Sequence, residues 1–67
     1  MNNTKEEKNM VSFYALYLED TYDQSGIAAA QELYREIFKY PRNVKRYKGA
    51  VDASLTVDGY ANIIVTL

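Results

Sequence analysis

Apolar residues in the stretch Ser25 to Lys39, SGIAAAQELYREIFK, recur at three- and four-residue intervals. Ile27, Ala30, Leu33, Tyr34, Ile37 and Phe38 therefore stack on one side of a helix. Ala28, Ala29, Glu32, Arg35, Glu36 and Lys39 take the other side. Ser25, or Asp23 before it, is placed to accept hydrogen bonds from the first free backbone N–H groups, and Pro41 ends the pattern because it has no N–H of its own. The helix is apolar on one stripe and needs a cover.

Met10 to Leu18, MVSFYALYL, fits two periods. As a strand it sets Val11, Phe13, Ala15 and Tyr17 against Ser12, Tyr14, Leu16 and Leu18, leaving both faces mainly apolar. As a helix it starts from Thr4 with Glu7 three residues on, the spacing of a capping box. Aromatic enrichment and shortness favour the strand. Residues 1–9 read as a polar, flexible N-terminal arm, and their Asn2-Asn3-Thr4 triplet matches a glycosylation acceptor that has no meaning without a secretory route.

Glu19 to Gln24 reads as a turn. Counted from Thr21, residues Asp23, Ser25, Gly26 and Glu32 fall at positions of a calcium loop, but Thr stands where the first Asp belongs and the helix claims Glu32. After Pro41, Ala50 to Leu67 shows two alternating runs around Asp58-Gly59, a hairpin pattern. A three-residue loop, Val57 to Gly59, pairs Leu55 with Ala61, Ala53 with Ile63 and Val51 with Val65 on one apolar face. Asp52, Ser54, Thr56, Tyr60, Asn62, Ile64 and Thr66 then form the opposite one.

The expected fold is α+β, a single β-α-β-β domain over residues 10–67 with one helix packed on a small antiparallel sheet. That is a ferredoxin-like unit cut short, and the helical reading of residues 10–18 gives α-α-β-β instead.

Composition narrows the chemistry. The 67 residues allow one small core, and the absence of Cys and His removes disulfides, thiolate sites and most zinc, haem and triad chemistry. No cofactor or metal is expected. No nucleophile sits beside a base and no glycine-rich phosphate loop occurs, so an enzyme with a small-molecule substrate is the least supported class. The expected setting is cytoplasmic, since no apolar run suits a membrane span and the first residues are too polar for a secretory signal.

Charge and tyrosine are unevenly placed. Seven of nine acidic residues lie at or before Glu36, whereas Lys39, Arg42, Lys45, Arg46 and Lys48 crowd ten positions with Tyr40 and Tyr47 among them. Cations and aromatic rings so mixed suit phosphates and unpaired bases, or an acidic protein surface. Glu19, Asp20 and Asp23 form an opposing acidic group that stabilises a helix N-terminus or meets a basic groove. One helix covers only one sheet face, which leaves Tyr14, Leu16 and Leu18 of the first strand in need of an external cover. A binding module acting on a protein partner follows, with Tyr14, Tyr17, Tyr40, Arg42, Lys45, Arg46 and Tyr47 as contact residues. The alternatives are a nucleic-acid-binding module using Lys39 to Lys48, and a structural homo-oligomer such as a homodimer.

In size, lack of His and Cys, acidic pI near 5.2 and content of seven tyrosines, the chain resembles the small anti-defence proteins of phages and mobile elements, including anti-CRISPR proteins. The resemblance is one of overall style and involves no motif. It implies an inhibitor that occludes a site on a larger, nucleic-acid-handling host complex.

Overall fold

The computed structural model describes residues 2–67, with side chains from Glu7 onward. Its elements are α1 (Asn2–Ser25), α2 (Ile27–Ile37), α3 (Pro41–Asn43), a π-helical segment (Val44–Lys48), α4 (Gly49–Val57) and a closing 3₁₀ turn (Ala61–Ile63). Residues 41–57 are helical without a break. At about 1.5 Å per residue α1 spans about 36 Å, which accounts for the 37 Å long dimension of the molecule.

Side-chain contacts give the direction of each element. The ring of Tyr14 lies 5.4 Å from that of Tyr47, Arg46 stands beside Glu7, and Tyr60 reaches Asp23. Residues 41–60 therefore run parallel to α1. Phe38, at the far end of α2, returns to Tyr14, so α2 runs antiparallel to both. The result is an up-down-up helical bundle.

Two residues that break helices, Gly26 and Pro41, make its corners. Gly26 donates to the Tyr22 carbonyl and accepts from the Ala30 N–H, closing α1 and opening α2 with φ 90° and ψ 177°, a region open almost only to glycine. The expected caps, Asp23 and Ser25, lie inside α1 and make no side-chain cap for α2. α2 itself ends at Ile37, and Pro41 begins α3 from an extended Tyr40, so the proline starts a helix as well as separating two. The Asn43 side-chain amide closes this corner by donating to the Ile37 carbonyl over 2.7 Å.

The core is built from Ala15 and Leu18 of α1, Ala30, Tyr34 and Phe38 from the α2 side, Val51 and Leu55 of α4, and Ile63. Val11, Tyr14, Tyr22, Val44, Tyr47, Ile64 and Val65 pack around it. Of the stripe expected over residues 25–39, Ala30, Tyr34 and Phe38 are thus buried and Leu33 and Ile37 partly so, while Ile27 at the start of α2 is exposed.

The α+β expectation is overturned, because no strand occurs among the described residues. Over residues 10–18 the helical alternative holds. Val11, Tyr14, Ala15, Leu18 and Tyr22 recur at helical spacing and face the core, an inward stripe that runs on past the limits of a short strand. The supposed turn at residues 19–24 is the last part of α1, so Asp23 and Ser25 project from a helix and ring no cation.

The hairpin fails for a sharper reason. Asp58 and Gly59 do reverse the chain, with Gly59 at φ 85°, but as a helix stop. The Tyr60 N–H bonds the Leu55 carbonyl at 2.6 Å and the Gly59 N–H bonds that of Thr56 at 3.3 Å, the paired bonds of a Schellman motif. A left-handed glycine serves a hairpin and a helix C-terminus equally, and Val51 and Leu55, four apart, find a helical groove to fill. After Gly59 the chain forms the 3₁₀ turn and buries Ile63, held where Gln31 donates to the Asn62 carbonyl over 3.0 Å. Neither the truncated ferredoxin-like sheet nor a small α+β domain describes the molecule.

Candidate functional site

Because α1 is apolar on two sides, it has more such surface than the bundle covers. Its inward stripe fills the core, while Met10, Phe13, Leu16 and Tyr17 recur at three- and four-residue steps on the opposite side. Phe13 keeps 57% of its surface exposed and Leu16 64%. The rings of Phe13 and Tyr17 lie 6.0 Å apart and, with Leu16 and Asp20, line a shallow depression. Leu16 and Leu18, expected on one strand face, are split: Leu18 is fully buried. Tyr14 is half-buried, with edge contacts to Phe38 and Tyr47.

Arg42, Lys45 and Arg46 occupy the outer side of α3 and the π-helical segment, facing away from Val44 and Tyr47, which pack inward. With Pro41 and Glu7 they line a groove near the start of α1. All three are exposed, and among the described residues the one ion pair they make is a 4.0 Å contact between Arg46 and Glu7. At such exposure a pair of this kind contributes about 1 kcal/mol or less. The other two cations of the stretch are occupied differently: Lys48 binds Asp52 at 2.9 Å, and Lys39 Nζ sits 5.9 Å from the Tyr40 ring centre. Tyr40 itself stands 57% exposed at the corner before Pro41.

The predicted contact residues thus separate into three places. Arg42, Lys45 and Arg46 come together, with Tyr40 adjoining in sequence; Tyr17 lies on the outer side of α1; Tyr14 and Tyr47 pack against one another at the rim of the core. Phe13 and Met10 did not figure among them. Their signal is the 10, 13, 17 spacing, which is visible only once this stretch is read as helix.

At the other end of α1, the fold brings Asp58 to Glu19 and Asp23. One carboxylate oxygen of Glu19 is shielded from solvent without a hydrogen-bond partner, and burial followed by Asp58 and Asp23 raises this carboxyl above its ordinary value. The Tyr60 hydroxyl stands 3.1 Å from both carboxylate oxygens of Asp23, a bond that holds the phenol above its usual range. No group of three or more acidic side chains suited to a metal ion occurs among the described residues, and no helix there is long and apolar enough to cross a membrane.

No family model matches this chain, and comparison with curated proteins and with solved structures finds no match either.

Proposed function

We propose that this protein is a small non-enzymatic binding protein that acts by protein–protein contact, placing the outer side of α1 in an apolar groove of a larger host complex. The observation that carries the reading is the exposed trio Phe13, Leu16 and Tyr17, continued by Met10 one turn earlier. Anchors at i, i+3 and i+4 on one helix are how a helix is read by a groove. Large apolar and tyrosine side chains are what the centre of such an interface uses. The stripe lies on a helix whose opposite side is locked into the core, so little ordering accompanies docking.

The resemblance to anti-defence proteins supports an inhibitory role, in which the helix occludes a working surface of a nucleic-acid-handling, CRISPR-type assembly. The test is capture of such a complex from the natural host by the immobilised protein, compared with Leu16→Glu. The variant, folded equally by circular dichroism, should bind at least tenfold more weakly, as loss of a central anchor does. Equal capture by both proteins removes α1 from the function. Light scattering in the same buffer, with a dimer that Leu16→Glu dissolves, would assign the surface to a second copy instead.

A further inference from the structure

We infer that the groove of Arg42, Lys45 and Arg46 is a second, independent binding surface, one that takes the phosphate backbone of a single-stranded nucleic acid with Tyr40 as a stacking platform for an unpaired base. The inference does not rest on the α1 surface, which faces away from the bundle and contains no basic residue among Met10, Phe13, Leu16, Tyr17 and Asp20.

Three observations support it. Among the described side chains the fold gathers three exposed cations into one groove with one carboxylate, Glu7, so this lining is net positive although the whole chain carries a formal charge of −1. Among the described residues these cations make no close ion pair: Lys48 reaches Asp52 of α4 at 2.9 Å, whereas Arg46 meets Glu7 only at 4.0 Å. Finally, Tyr40 directly precedes Pro41, which lines the groove, and is 57% exposed, its extended backbone set by the proline that follows. Guanidinium forks match phosphate oxygens, and an exposed ring next to them suits a base whatever its sequence. An acidic protein segment would need an apolar anchor in the groove, and among the described lining residues Pro41 is the only apolar one. Lys45 and Arg46 stand on a π-helical segment, a distortion that recurs at functional sites.

Fluorescence anisotropy with a labelled oligothymidylate, titrated at several salt concentrations, tests this. Binding should weaken with salt along a log–log slope of about 2, at about 0.7 for each phosphate neutralised, and each of Arg42→Ala, Lys45→Ala and Arg46→Ala should lower that slope by about 0.7. Tyr40→Ala should reduce affinity about five- to a hundredfold while leaving the slope unchanged. Leu16→Glu should bind the oligonucleotide like the native protein, which keeps this test separate from that of the α1 surface. No binding at low salt overturns the inference, as does a triple alanine variant that binds normally. So does an oligoglutamate that competes on equal terms while Tyr40→Ala has no effect, since that outcome assigns the groove to acidic protein.

Discussion

The hydroxyl of Tyr34, fully buried in α2, donates to the Asp52 carboxylate of α4, whose second oxygen accepts from Lys48 Nζ at 2.9 Å. A ring in the core is thereby tied to a charge at its edge, and burial together with this bond pushes the phenol well above its ordinary range. Hydrogen bonds to a charged partner contribute about 1.5–3 kcal/mol. Tyr34→Phe should therefore destabilise the protein by about that much in urea unfolding, whereas Lys48→Ala, removing a partly exposed i,i+4 pair, should cost about 0.5 kcal/mol. Equal costs for the two would mean that the hydroxyl bond does not couple the helices.

Leu16 and Leu18, two residues apart, should respond oppositely to substitution. Leu18 is fully buried, so Leu18→Ala should cost about 2–5 kcal/mol, while Leu16→Ala should stay within about 0.5 kcal/mol. A strand would put both on one side and give similar costs. Matching thermal midpoints for the two variants would contradict the helical placement of α1.

Glu19 makes stability depend on pH. Its carboxyl is raised in the folded state above the ordinary 4.5, by burial first and then by Asp58 and Asp23. The protonated form is favoured by the fold, so the stability it contributes is fully present below 4.5 and is lost as pH rises through the raised value. Glu19→Gln should consequently be more stable than the native protein at neutral pH, with the advantage shrinking below 4.5. Denaturant midpoints at both ends of that range check the sign; a variant less stable at neutral pH would refute it.

Gly26 is the corner between α1 and α2, and its φ of 90° is open at low cost only to glycine. A Cβ there meets no atom within 4 Å, so Gly26→Ala isolates the backbone penalty from any clash. The expected loss is about 1–3 kcal/mol. Calorimetry that finds no change in the unfolding temperature would show that the corner relaxes without strain.

Much of the candidate site was hidden in the sequence for the reason that hid the fold. The basic cluster was legible as a charge run, but Arg42, Lys45 and Arg46 share one groove only because residues 41–48 are helical, since a strand would turn Lys45 to the opposite face. Tyr17 and Phe13 share a face on strand and helix alike, but Met10 and Leu16 join them only on a helix. The meeting of Asp58 with Glu19 and Asp23 depends on α4 running parallel to α1, which no local pattern records.

Local sequence by itself determined α2, whose apolar residues match one period and no other, and it determined the breaks at Pro41 and Gly59. Tertiary packing decided the rest. Residues 10–18 and 50–57 carry apolar positions that satisfy a period of two as well as a helical one, so their own preferences leave strand and helix close in energy. The helix won where its spacing lets Leu18, Val51 and Leu55 fill one shared core with Tyr34 and Phe38, because burying those side chains together outweighs the small intrinsic bias of aromatic and β-branched residues toward strands.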